Sequence, residues 1–142
     1  MTPLQFAQSL AADLATLPLP PEFHGQLGEI QVPCAGTYVS VLNTSEVDPT
    51  SGGTGHCDKI QMGDVSVVVA RECAVTMNQD GTTNWVEQDK VSQSMDVDGQ
   101  VLRDWADKIR ADAWYVQGIV TVTYTISGLL QMVIVGFTTP IP

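Results

Sequence analysis

Ile119-Val-Thr-Val-Thr-Tyr-Thr-Ile126, then Ser127-Gly128, then Leu129-Leu-Gln-Met-Val-Ile-Val-Gly-Phe137 is the stretch that decides the fold. In its first part Val120, Val122, Tyr124 and Ile126 alternate with Thr121, Thr123 and Thr125, the period of a strand with one apolar face. Ser127-Gly128 supplies a two-residue turn, so the following apolar run folds back as the second strand of a β-hairpin. With Ile126 set against Leu129, Val122 falls opposite Val133 and Val120 opposite Val135, a continuous aliphatic face for helices to cover.

Upstream of the hairpin, Trp85 to Arg110 has helical spacing: Val91, Met95, Leu102, Trp105 and Ile109 share a face, and Asp98-Gly99 is read as dividing the segment into two helices. Ile60 to Met77 reads as a long central strand, with Val65, Val67 and Val69 on one side and Asn78-Gln79-Asp80-Gly81 closing it. Thr37 to Val47 is a further strand, rich in β-branched and aromatic residues. Between these two strands lies a long polar loop, Asp48 to Asp58, with Pro49, Gly52, Gly53 and Gly55. A short strand is placed around Glu29 to Val32, interrupted on both sides by glycines and Pro33.

The chain opens on Thr2-Pro-Leu-Gln5, where a cap hydroxyl, a proline at the first helical position and a Gln at the third predict a helix start. Leu4, Ala7, Leu10, Ala11, Leu14 and Leu17 make its apolar stripe, and Pro18, Pro20 and Pro21 forbid continuation, so the helix is predicted over Pro3 to Leu17. Helix, strands, helix, hairpin is the order of an α+β fold. The expectation is one domain over residues 1–142: a mainly antiparallel sheet flanked by an N-terminal helix and a central helical segment, ending in the hairpin.

Charge narrows the function classes. The first 58 residues contain no Lys or Arg but carry Asp13, Glu22, Glu29, Glu46, Asp48 and Asp58, and the whole chain has a formal net charge of -10. Gripping phosphates requires cations that replace displaced counterions, so this composition argues against nucleic-acid recognition. It also repels anionic membranes and leaves proteins as the expected partners. The chain starts without the positive segment of a secretory signal, and no apolar run approaches the roughly 20 residues that span a bilayer, which together predict a cytoplasmic origin.

Few residues carry obvious chemistry. Cys34, Cys57 and Cys73 are widely spaced and form no C-x-x-C pair, so reduced thiols are expected. His56-Cys57-Asp58 is the one cluster of reactive side chains, but adjacent His and Cys on a Gly-rich loop lack the spacing by which rigid turns present zinc ligands. Ser94-Met-Asp96-Val-Asp98-Gly99 resembles the opening of a calcium loop, yet Leu102 and Trp105 stand at its ninth and twelfth positions, and Asp98 is read as the cap of the second helix segment. Asp104, Asp107 and Asp112 among Arg103, Lys108 and Arg110 read as a solvated helix face, and His24 has no nucleophile near it in sequence. Phosphate loops, nucleophile elbows and zinc-protease motifs do not occur. No catalytic, cofactor-binding or metal residues, and no enzyme activity, are therefore expected.

The ordered series as a whole resembles a known family. An N-terminal helix, a strand, a long loop, the strand Val65-Ser-Val-Val-Val-Ala-Arg-Glu-Cys-Ala-Val75, an Asp-Gly loop, an Asp-rich helix and a terminal hairpin are similar to tail-terminator proteins of long-tailed bacteriophages. The likeness is strongest to siphovirus-type, actinobacteriophage-like versions, in which a strand ending in Arg-x-Cys, here Arg71-Glu72-Cys73, leads into a polar loop and a helix. It covers nearly the full chain, in order and texture.

The resemblance implies a non-enzymatic virion protein assembled in the host cytoplasm. Copies of the chain would form a ring, usually hexameric, that caps the tail tube and docks onto the head-tail connector while genomic DNA passes through without specific binding. Six copies at -10 would total -60 formally, a lumen that repels DNA. The first helix's stripe and the strand Leu129 to Phe137 are candidate ring contacts, and the loop Asp48 to Asp58 is the candidate for axial docking. Three other readings stay open: a connector, stopper or tail-completion neck protein; a small cytoplasmic enzyme using a cysteine or a metal; and a monomeric acidic binding module or nucleic-acid mimic.

Overall fold

The computed structural model describes residues 1–47, 59–111 and 118–142. Helix α1 spans Pro3–Leu14 and begins as the capping box requires. Gln5 N–H donates to Thr2 Oγ1 at 3.1 Å and Thr2 N–H donates to Gln5 Oε1 at 2.9 Å, so two otherwise orphaned donors are satisfied. The helix ends at Leu14 and not at Leu17, because Thr16 and Leu17 bond back over three residues to Asp13 and Leu14, tightening the chain before the prolines. Its buried stripe is Phe6, Ala7, Leu10, Ala11 and Leu14; Leu4 is 40% exposed and Phe6 occupies the position expected of it.

The strands are β1 (Phe23–Leu27), β2 (Gly36–Val47), β3 (Ile60–Glu72), β4 (Thr121–Ser127) and β5 (Leu130–Pro140), with helix α2 (Trp85–Ile109) between β3 and β4. They form one five-stranded sheet in the order β1-β2-β3-β5-β4. The fold is α+β. β2, β3, β5 and β4 pair antiparallel to their neighbours, while β1 runs parallel to β2.

One face of the sheet holds the core. Val39 and Val41 of β2, Val65, Val67 and Val69 of β3, and Val133, Val135 and Phe137 of β5 lie side by side in register, all buried. Both helices cover this face. α1 lies over β1 and β2, and α2 lies over β5. Trp105 joins the helices by donating its indole N–H to Asp13 Oδ2 at 2.7 Å, and its ring meets Phe137 edge-on at 5.7 Å.

Several local expectations are corrected. The early strand is Phe23–Leu27 and not Glu29 to Val32, since Thr37 N–H bonds Glu22 O and Gly28 N–H bonds Val41 O, stitching residues 22–28 along β2. β3 stops at Glu72, and Met77 returns only as an isolated bridge to Thr83 across the Asn78–Gly81 turn. The hairpin turns on Gly128-Leu129, with Gly128 at φ 60, so Val122 faces Val135 and Tyr124 faces Val133. That is a two-residue slide from the predicted pairing, and an even slide leaves every side chain on its predicted face. α2 runs unbroken through Asp98-Gly99. Gly99 is there for close packing: a Cβ would sit 2.6 Å from the Tyr124 hydroxyl oxygen.

A tighter approach occurs at Gly25 in β1, where a Cβ would fall 2.6 Å from the backbone of Ala7 and Gln8. Backbone on both sides cannot swing away as a side chain can. Gly25→Ala is therefore expected to lower stability by roughly 3 kcal/mol, read as a drop in the denaturant midpoint at unchanged slope.

Candidate functional site

Among the described residues no helix lies over the second face of the sheet. Register places His24 and Gln26 of β1, Tyr38 and Ser40 of β2, Asp64, Ser66 and Val68 of β3, and Met132 and Ile134 of β5 on this side. Part of it is sealed by the segment between β1 and β2. Tyr38 Oη donates to Cys34 O at 2.8 Å, and Ser40 Oγ donates to Gly28 O, so both ends of that segment are pinned over β2. The remainder forms a shallow groove of about 330 Å³ lined by Leu42, Asp64, Ser66, Ile119, Gly136 and Thr138. Asp64 accepts from Thr138 Oγ1 at 2.7 Å across its floor.

His24, which has no reactive neighbour in sequence, gains several in space. Its ring stacks on Tyr38 at 5.6 Å, its Nε2 lies 3.5 Å from the Glu22 carboxylate, and Tyr38 Oη lies 3.5 Å from Cys34 Sγ. Pairing of β1 beside β2 creates this Glu22-His24-Tyr38-Cys34 group, and a parallel strand pair leaves no local trace in sequence. The group is poorly suited to nucleophilic catalysis. Burial, reinforced by Cys34, pushes the Tyr38 hydroxyl above its ordinary value, and its proton is committed to a backbone carbonyl. The His24 nitrogen faces Glu22 in a solvent-exposed pair, the geometry of a weak surface contact.

Cys34 and Cys73 line one cavity of about 380 Å³ together with Glu72 and Leu129. Burial raises the Cys73 thiol above its ordinary value, the opposite of what an activated nucleophile needs. His56, Cys57, Asp58 and the whole predicted docking loop lie outside the described residues, as does Asp112. Among the described residues no three His, Cys, Asp or Glu side chains converge as metal ligands. Ser94, Asp96 and Asp98 do not converge on α2, since Asp96 lies on the side of the helix opposite Ser94 and Asp98: Ser94 Oγ accepts from Gln131 Nε2 at 2.7 Å, Asp96 is exposed and Asp98 is buried.

Asp98 is the residue whose role is least visible in the sequence. It is no cap but the buried partner of Arg71, which donates from Nε at 2.8 Å and from Nη2 at 3.0 Å and adds a bond to Pro18 O at 3.2 Å. One guanidinium thus ties β3 to α2 and to the turn after α1. Farther along α2, Arg103, Asp104, Asp107 and Lys108 are exposed, and Arg110 Nη2 donates to Gly118 O at 3.1 Å.

The most unusual surface feature is the far half of β2. Leu42 is a bulge in the β2–β3 register, and Leu42 to Val47 are all exposed, an arm of β2 that extends past β1 along Ile60 to Asp64 of β3, which there keeps Met62 buried and pairs onward with β5, and residues 48–58 follow it in the chain. No helix among the described residues is long and apolar enough to cross a membrane. No family model, curated protein or solved structure gives a significant match to the chain.

Two measurements follow from these side chains. Replacing Arg71 by Leu strands a carboxylate that is 4% exposed and is expected to cost about 3 kcal/mol, whereas Asp98→Ala leaves an arginine that is 34% exposed and still bonded to Pro18 O, costing about 1 kcal/mol. Equal losses in denaturant titrations would refute this asymmetry. Cys73 is expected to react with iodoacetamide more slowly in the folded chain than in urea at pH 8, with the gap narrowing as pH rises and thiolate forms.

Proposed function

We propose that this chain is a structural virion protein of the phage neck, a ring-forming subunit that terminates the tail tube and joins it to the head connector. The observation that carries the reading is the β2–β3 arm. Leu42 to Val47 are all exposed, and Leu42 and Val47 leave 47% and 40% of their large apolar side chains in solvent. Such an arm adds little to the stability of its own domain, and its use lies in contact with another molecule. Axial docking onto a neighbouring ring is the role that length and glycine content suggest for residues 48–58 at its end.

Charge supports the same reading. Lys59, Arg71, Lys90, Arg103, Lys108 and Arg110 are all the cations in the chain, against 16 Asp and Glu. Arg71 is already held by Asp98, Lys59 lies 3.4 Å from Glu46, and Lys90 lies 3.4 Å from Glu87. Little positive charge is left to hold DNA, so a genome could slide past copies of this surface. The ring is proposed as a hexamer with an acidic lumen, with the tail-tube protein and the connector as its neighbours. The work of such a subunit is assembly and not catalysis.

Replacing residues 48–58 by a short Gly-Ser turn tests the proposal. The variant should keep its melting temperature yet fail to join heads to tails in an assembly assay, and it should lose axial binding to tail-tube or connector rings. Binding to the connector alone would move the chain to the stopper class. Normal joining by the shortened variant, or images in which the wild-type chain never forms rings with tail-tube protein present, would overturn the reading.

A further inference from the structure

The chain between β3 and α2 is braced by its own hydrogen bonds. Met77 bridges Thr83, Asn84 N–H donates to Thr76 O at 2.8 Å, Asn78 N–H donates to Thr82 O at 2.8 Å, and Gly81, at φ 85, closes the turn by donating to Asn78 O at 3.0 Å. Asp80 Oδ1 accepts from the Thr82 hydroxyl at 2.6 Å and from its N–H at 3.0 Å. Residues 76–84 thus form a miniature hairpin, and it stands past the end of the sheet. β3 ends at Glu72, and Cys73 N–H bonds Leu129 O in the β4–β5 turn. Ser94 meets Gln131 and Trp105 meets Phe137, so α2 runs along β5 and its first turns project past the sheet beside the hairpin.

This end of the molecule holds apolar side chains in solvent. Trp85 is 69% exposed and Met77 63%, and Val75, Val86 and Leu129 are exposed with them. The bonds on either side of Met77 and Thr83 make them a close pair, and strand alternation puts Val75 on the same side as Met77. A Trp and a Met on a frame that is already ordered are the side chains from which interface centres are built, and little freedom is lost when such a frame binds. The border of the patch has one sign of charge. From Glu72 to Asp89 the sequence holds Glu72, Asp80, Glu87 and Asp89 and no Lys or Arg, and Lys90, the next cation, lies 3.4 Å from Glu87. The Thr82 hydroxyl and N–H hold the Asp80 carboxyl below its ordinary value, so this charge persists well into the acid range.

We infer that the hairpin end, centred on Met77 and Trp85, docks a partner protein that presents an apolar cleft edged by Lys and Arg. Apolar area supplies the attraction, and the carboxylates at its border select the sign of the partner. A second copy would bring the same carboxylates to the same border, and anionic bilayers and nucleic acids are repelled in the same way. A cationic protein surface is attracted on both counts. The patch also lies far from the β2–β3 arm, because Val47 pairs with Ile60 at the start of β3 while the hairpin follows its end, so one subunit can hold a different molecule at each end. The inference needs only the patch and its charges and stands independently of the ring reading.

The probe is a short peptide of alternating Leu and Lys, set against a Ser-Lys peptide of equal charge and a Leu-Glu peptide of opposite charge. Titrated into the full chain, the Leu-Lys peptide should shift the indole N–H resonance of Trp85 and the methyl resonance of Met77, and should bind at least about tenfold more tightly than either control. Trp85→Ser and Met77→Ser should each weaken it by about the same factor with the melting temperature unchanged, whereas Leu42→Ser on the arm should leave it unaltered. A chain that does not bind the Leu-Lys peptide at about 1 mM overturns the inference. So does equal binding of the Ser-Lys peptide, which would make the attraction one of charge alone, or equal binding of the Leu-Glu peptide, which would make the charged border irrelevant. Shifts confined to residues outside 72–90 would overturn it as well, as would a dimer of the free chain that Trp85→Ser dissociates, since the occupant would then be a second copy. Rings formed with tail-tube protein by a chain that ignores the peptide would leave the ring reading intact, and peptide binding at Trp85 by a chain that never forms rings would do the reverse.

Discussion

The architecture depends on one stripe of β3. Val65, Val67 and Val69 lie between Val39 and Val41 on one side and Val133, Val135 and Phe137 on the other, and this face alone offers enough contiguous apolar surface to seat helices. Once both helices are committed to it, they must share it. The ends of α1 and α2 are then close enough for Trp105 to reach Asp13, and the buried Arg71 to Asp98 link fixes α2 against β3 from the end of the same stripe. A buried ion pair adds little net stability, but its two-point geometry tolerates few alternative placements of the helix.

The elements with a strong local period were legible in the sequence. The capping box of α1, the valine alternation of β3, the apolar face of α2 and the two strands of the hairpin all appear where their spacing puts them. What escaped was decided elsewhere in the chain. β1 is a strand because β2 lies beside it and Gly25 admits α1, and neither fact is local to Phe23–Leu27. Gly99 has the appearance of a helix breaker, yet its lack of a side chain serves Tyr124, 25 residues away. The pairing slid by two because the turn begins one residue later, at Gly128, which takes the left-handed position, and an even slide preserves the faces.

The chemically suggestive residues were less legible than the fold. Asp98 looked like a cap because Asp before Gly is common at helix starts, and nothing in sequence announces that Arg71, 27 positions earlier, would enclose it. His24 looked isolated, and parallel pairing brought it to Tyr38 and Cys34. Even assembled, the group lacks the chain of proton acceptors that activates a nucleophile, since the Tyr38 hydroxyl is committed to the Cys34 carbonyl.

The apolar core, the Trp105–Asp13 bond and the Arg71–Asp98 link all lie on the helix-covered face, which leaves the exposed half of β2, the open face and the β4 edge outside the core. These three surfaces differ in charge. The arm carries Glu46 and Lys59 and can select a partner electrostatically, whereas the β4 edge has no charge and can only pair through its backbone. At a net charge of -10, repulsion from other anionic surfaces is weakest along an edge such as β4 that carries no charge.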